Sequence, residues 1–271
     1  MPTTFPVAVA NATTIYVVST PANATNSTFN RELRRYTRQA VSGCAFTLDS
    51  SFVSPASPDF FSSSLGSTGA GDVVALWVTN GSFHVQSFAP LGTNCTISPS
   101  SFISYSDIGV TAGGRVLVPG SWSSSSPGDL VDLASCAGVA FPSNAGPAYQ
   151  YSAGSYGNDL LVGYNDTSIE RRTSAGALVW SGGHNGFERI PVRCGASVCS
   201  FNVTAGGHVL DASSGATLSA FNMGAIAPGN IAPWGDAQGD RLFLSALRAA
   251  PSPSCANKSY FELWNVEGIG K

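Results

Sequence analysis

The chain has 271 residues, 13 Lys+Arg against 16 Asp+Glu for a formal net charge of −3, and only 11% charged residues in all. That balance excludes the basic footprint of a nucleic-acid binder, and no stretch approaches the 18 or more apolar residues of a membrane span. A surface so poor in charge needs another solubilising group, unless self-association is its purpose.

From the N-terminus, Pro6–Ser19 (PVAVANATTIYVVS) reads as apolar strand, small polar turn, apolar strand. Ile15–Ser19 is the β-branched second strand of a unit, and Glu32–Thr37 its alternating third. Asn30–Ala40 also carries charge that would suit a short helix with Asn30 as N-cap. Its alternation of Glu32, Arg34 and Tyr36 with Leu33, Arg35 and Thr37 favours the strand. The succession returns at Val73–Val78 with Phe83–Phe88, then at Arg115–Val118 with Leu130–Leu133. It continues at Leu160–Tyr164 with Ser168–Arg172, Val198–Asn202 with His208–Asp211, and Leu242–Leu247 with Tyr260–Val266. Near-continuous apolar character in the second strands predicts that both faces are covered. Alternation in the third strands predicts one wetter face.

A repeat of about 45 residues cannot bury its own faces and must stack on its neighbours. In an all-β chain the expected solution is radial. The predicted fold is a six-bladed β-propeller of four-stranded antiparallel blades, one domain over residues 1–271, alone or within a longer secreted chain. Seven blades or a β-sandwich are the alternatives. The last copy has strands at Ile231–Trp234, Leu242–Leu247 and Tyr260–Val266 and then reaches Lys271 without a fourth. Met1–Phe5 is expected to fill that gap, the alternative being a strand from a neighbouring copy or a partner protein.

Two stretches, Ser168–Ser181 (SIERRTSAGALVWS) and Val209–Phe221 (VLDASSGATLSAF), resemble blades of quinoprotein-type propellers. In such blades a strand ends in an Asp-Ala-type turn, a Gly follows, and the next strand closes on an aromatic. Ser106–Pro119 and Pro6–Ser19 resemble blades of the NHL type. The resemblance implies a propeller. Quinoprotein dehydrogenases usually carry eight blades, a quinone, calcium and often a vicinal cysteine pair. This chain has room for six blades and no adjacent cysteines, so no cofactor is carried over.

Asn-x-Ser/Thr occurs at Asn11, Asn23, Asn26, Asn80, Asn94, Asn165, Asn202 and Asn257, where composition alone would give about three such sites. The excess predicts N-linked glycans on a secreted protein. Asn11, Asn80 and Asn165 fall at expected blade turns, whereas Asn202 ends an inner strand and is the less certain acceptor. The six cysteines, Cys44, Cys95, Cys136, Cys194, Cys199 and Cys255, fit an oxidising compartment. Cys194 and Cys199 flank a predicted hairpin turn and are expected to pair across it, with half of a metal site as the alternative. Cys44, Cys95 and Cys136 fall just before successive fourth strands. Sequence does not choose among the remaining connectivities. Met1–Ala10 has no basic start and no long apolar core, so a leader outside this numbering or a larger secreted parent is expected.

Catalytic patterns are missing. His84, His184 and His208 fall in different repeats without metal-ligand spacing, and only His184, in the Gly-rich Ser181–Phe187 loop, is placed to meet a ligand. No Gly-x-Ser-x-Gly elbow occurs, and the Gly-rich stretches at Gly66–Gly71 and Gly113–Gly114 read as turns. Asp72, Asp159 and Asp240 recur before second strands, which turn geometry explains. Of Trp77, Trp122, Trp180, Trp234 and Trp264, only Trp122, in a polar loop, is a contact candidate; the rest read as core. The expected function is therefore that of a non-enzymatic extracellular glycoprotein, a structural or adhesive propeller at a cell surface or in a filament. A secreted carbohydrate-active enzyme and a lectin-like module are the alternatives.

Overall fold

The computed structural model describes residues 7–11, 14–19, 32–38, 46–53, 63–67, 73–79, 82–88, 94–97, 108–118, 128–141, 150–164, 168–183, 188–202, 206–222, 231–232, 241–248 and 260–267. Every regular element among them is a strand. The first sheet holds β1 (Val7–Asn11), β2 (Thr14–Ser19), β3 (Glu32–Arg38) and β4 (Phe46–Val53). The second holds β5 (Ser63–Ser67), β6 (Val73–Thr79), β7 (Ser82–Phe88) and β8 (Asn94–Ile97). The third holds β9 (Gly109–Val110), β10 (Arg115–Val118), β11 (Asp129–Asp132) and β12 (Ala137–Ala140). The fourth holds β13 (Gln150–Tyr156), β14 (Asp159–Tyr164), β15 (Ser168–Arg172) and β16 (Leu178–Gly183). The fifth holds β17 (Glu188–Cys194), β18 (Ser197–Asn202), β19 (Gly206–Asp211) and β20 (Thr217–Asn222). The sixth, three-stranded among the described residues, holds β21 (Ile231–Ala232), β22 (Arg241–Arg248) and β23 (Tyr260–Glu267).

Each sheet is an antiparallel meander in chain order. The sheets pack in the same order through their first strands: β1 meets β5, β5 meets β9, β9 meets β13, and β13 meets β17. Small residues permit that approach. A Cβ on Gly109 would come within 2.5 Å of the Gly154 carbonyl oxygen, and one on Gly154 would overlap the carbonyl oxygen of Pro191. Backbone therefore touches backbone across three successive inner strands. The segment 30–40 is the strand β3 rather than a helix. Gly66 and Ser67 belong to β5, which corrects the reading of that Gly-rich stretch as a turn throughout.

The second strands β10 and β14 are apolar because both of their faces are buried. On β14, Leu160, Val162 and Tyr164 pack with Leu117, Leu130 and Phe141 of the third sheet. Leu161 points the other way, to Val198, Leu210 and Ala212 of the fifth. On β10, Leu117 faces the fourth sheet while Val116 and Val118 join Val74 and Cys95 of the second. Each such side chain contributes about 1.5–3 kcal/mol by leaving water. The fourth strands β12, β16 and β20 expose Val139, Leu178, Val179 and Leu218.

Candidate functional site: the turns and seams of the third to fifth sheets

The turn from third to fourth strand is built on one plan in the third and fifth sheets and on a shorter variant in the fourth. Asp132 accepts through Oδ1 from the amides of Ala134 and Ser135. Asp211 accepts through Oδ1 from the amides and hydroxyls of Ser213 and Ser214. In the fourth sheet Thr173 begins a turn one residue shorter, and its Oγ1 accepts from Ala177 N four residues on. These are local side-chain turns of the kind Asp and Thr form readily. The amide and hydroxyl donors hold the Asp211 carboxyl down at about 2, Ser213 first among them. The Ser135 and Ala134 amides hold the Asp132 carboxyl below its ordinary value in the same way. The turn closes on a left-handed residue: Gly176 at φ 89°, Gly215 at φ 73°, and, in the third sheet, Cys136 at φ 55°.

That cysteine explains its own backbone. Cys136 forms a disulfide with Cys95, so it ties the third sheet's turn to β8 of the second. Cys95 lies inside the fourth strand, where the sequence had suggested a place before it. Cys194 and Cys199 are joined across the β17–β18 turn, as the spacing predicted. Cys44 and Cys255 lie outside the described residues.

Two polar clusters fill the seams of the fourth sheet. Toward the third sheet, Glu170 is fully buried and Arg172 is 6% exposed. Glu170 Oε2 accepts from Tyr164 Oη at 2.8 Å and from Arg172 Nε at 2.7 Å. Arg172 also donates through Nη1 to the Gly176 carbonyl at 2.8 Å and lies over the Phe141 ring. Burial next to the Glu170 carboxylate drives the Tyr164 hydroxyl well above the ordinary phenol range. The wetter face predicted for the third strand is thus wrong here, because the neighbouring sheet covers it. The signal was present: two opposite charges two apart on a strand, and so on one face, in a chain that rations charge.

Toward the fifth sheet, Arg171 pairs with Asp159 at 2.6 Å and donates through Nη1 to the Ala212 carbonyl. Trp180 Nε1 donates to the same carbonyl at 2.7 Å, and its ring lies where a Cβ on Gly215 would stand. Trp180 is core, as expected. The Tyr156 ring lies near two guanidiniums, Arg171 at 4.6 Å and Arg193 at 5.3 Å, and its hydroxyl donates to the Ala196 carbonyl. Asp159 was read as turn chemistry; it opens β14 and is the ion-pair partner of Arg171.

The remaining candidates divide simply. Asn11 ends β1 opposite Thr14, Asn94 opens β8 opposite Gln86, and Asn202 ends β18 opposite Glu188. Asn23, Asn26, Asn80, Asn165 and Asn257 lie outside the described residues, as do Met1–Phe5, Asp72, Asp240, His184, Trp122 and Trp234. His84 lies in β7 and His208 in β19, two sheets that do not adjoin. Among the described residues no group of three or more His, Cys, Asp and Glu is placed to hold a metal. The polar groups of these seams hold sheets and turns to one another; their carboxylates are occupied by turn donors or by guanidiniums.

No protein-family model matches the chain, and no curated protein matches it. Among solved structures it is similar to a KlHsv2 in which loop 6CD is replaced by a Gly-Ser linker, with 10% identity and a TM-score of 0.52 over 89% of this chain and 75% of that one. Raptor of Chaetomium thermophilum gives 9% identity and a TM-score of 0.48 over 91% of this chain and 23% of that one. BamB from Moraxella catarrhalis gives 14% identity and a TM-score of 0.43 over 67% of this chain and 51% of that one. The Raptor and BamB likenesses are too distant to carry an argument, and the KlHsv2 likeness bears on the fold alone. Together with the consecutive four-stranded meanders, it makes the chain an all-β protein of propeller type.

Proposed function

We propose that this propeller is a secreted, N-glycosylated protein with a structural or adhesive role at a cell surface or in a filament, and no catalysis of its own. The observation that carries the reading is the pair of disulfides, Cys95–Cys136 and Cys194–Cys199, in a chain with eight sequons and 11% charge. Disulfides persist in oxidising compartments, and glycans supply the hydration that charge does not. Seams closed by apolar side chains and by the Glu170–Arg172–Tyr164 cluster suit a rigid building block. The uncharged fourth strands β12, β16 and β20, with Val139, Leu178, Val179 and Leu218 exposed, favour self-association along the rim or with a neighbouring protein's strand.

The test is expression of the full chain behind a secretory leader, with mass measured before and after enzymatic deglycosylation and particle size measured by light scattering. Several glycans and assembly above the monomer are expected. A glycan-free monomer overturns the reading. Binding on a glycan array, or turnover of a polysaccharide, would move it to the lectin or enzyme alternative.

A further inference from the structure

The stretch Asn94–Cys95–Thr96 carries two modification signals on one short strand. Asn94 and Thr96 are two apart in β8 and so share one strand face, while Cys95 takes the other. Thr96 is exposed. Cys95 is fully buried and bonded to Cys136, 41 residues further on. The strand is paired with β7, Asn94 opposite Gln86 and Thr96 opposite His84. The other seven sequons have Ala, Ser, Gly, Asp, Val or Lys at the middle position.

We propose that glycan transfer to Asn94 and closure of the Cys95–Cys136 disulfide compete for the same three residues, so that their order decides whether Asn94 is glycosylated. The proposal rests on the secreted-glycoprotein reading above. In the transfer, the Asn94 amide nitrogen attacks the anomeric carbon of an oligosaccharide carried on a lipid diphosphate. The N–C bond forms, the C–O bond to the diphosphate breaks, the diphosphate departs with the electron pair, and the amide proton passes to a base. In the closure, the two thiols give up two protons and two electrons to a disulfide-bearing donor, which leaves as a dithiol. A transferase must lift Asn94 and Thr96 out of the β7–β8 ladder to reach them. Once Cys95 is bonded to Cys136, β8 is fastened to the third sheet, and lifting it requires a larger opening than fraying one edge strand. Before Cys136 is made, no such bond exists. At synthesis rates of about 5–20 residues per second, the 41-residue separation gives Asn94 a lead of about 2–8 s.

The experiment is site-by-site glycan occupancy, by peptide mapping, of the full chain secreted from eukaryotic cells. Unmodified chain is compared with Cys136→Ser, with Cys95→Ser/Cys136→Ser, and with unmodified chain made during a pulse of dithiothreitol. Asn94 is expected to be partly occupied in the unmodified chain, and to rise at least about twofold in all three other arms. Asn11 and Asn80 are expected to stay constant. The dithiothreitol arm keeps the test valid if the variants fold poorly. Equal occupancy at Asn94 in all arms, with Asn11 and Asn80 glycosylated, overturns the competition and leaves the glycoprotein reading intact. Absence of glycan at every sequon overturns the glycoprotein reading itself.

Discussion

Cys136 stands where the next two sheets place glycine, and this gives a stability difference that can be calculated before it is measured. Its φ of 55° is left-handed, as are those of Gly176 and Gly215 at the same turn position. A residue with a Cβ pays about 1–2 kcal/mol there. The disulfide to Cys95 spans 41 residues, and loop closure of that length stabilises by about 4 kcal/mol. Removing the bridge with Cys95→Ala/Cys136→Ala should therefore cost about 4 kcal/mol from the lost cross-link, plus the packing lost at the buried Cys95. Cys95→Ala/Cys136→Gly loses the same bridge and the same sulfur, but its turn no longer holds a Cβ at positive φ. It should be the more stable of the two by about 1 kcal/mol, after allowing for the extra chain entropy of glycine. Equilibrium urea unfolding of both variants, with Cys194–Cys199 kept oxidised, measures the difference directly. If the alanine form equals or exceeds the glycine form, Cys136 does not occupy a glycine turn and the three-sheet equivalence fails.

Three further outcomes are expected. Gly154→Ala should destabilise by about 3 kcal/mol, the upper range for overpacking, because its Cβ would overlap the Pro191 carbonyl; Gly157→Ala, with open space but a φ of 63°, should cost only about 1 kcal/mol, and thermal unfolding separates the two. Glu170→Ala should cost about 3–5 kcal/mol by leaving the Arg172 charge buried and uncompensated, whereas Glu170→Met/Arg172→Met should recover most of it in urea titrations; equal losses would mean that the pair is not charged. The Asp211 carboxyl is depressed to about 2 from an ordinary 3.8, so its contribution is complete above the unfolded value and disappears as pH falls through about 2. Acid unfolding followed by circular dichroism should show that loss between these values in the unmodified chain and not in Asp211→Asn.

Strand positions were legible because their causes are local. Ile15–Ser19, Leu160–Tyr164 and Val198–Asn202 are β-branched or apolar runs bounded by turn residues, and each became a strand. The charged segment around Arg34 was read correctly from alternation alone. The Cys194–Cys199 bridge was legible for the same reason, since only a hairpin separates its ends. The wetter face expected of the third strand failed at Glu170, because alternation on β15 tells which residues share a face but not what lies against that face. Phe141 covers it, and Phe141 belongs to the preceding sheet. Cys95–Cys136 could not be chosen among the connectivities because nothing in either segment marks the other.

The amino-acid order alone set the repeat and the meander within each unit, since hydrogen bonding and side-chain sterics over a few residues suffice for these. What closes the seams around the fourth sheet was settled only when the sheets came together: the Gly109–Gly154–Pro191 backbone contacts, the Phe141 ring under Arg172, and the Ala212 carbonyl shared by Arg171 and Trp180. Many of these contacts join residues about one repeat apart in the chain. A side chain's partner across a seam is fixed by where the adjacent sheet lies, and no local preference of the backbone encodes that distance.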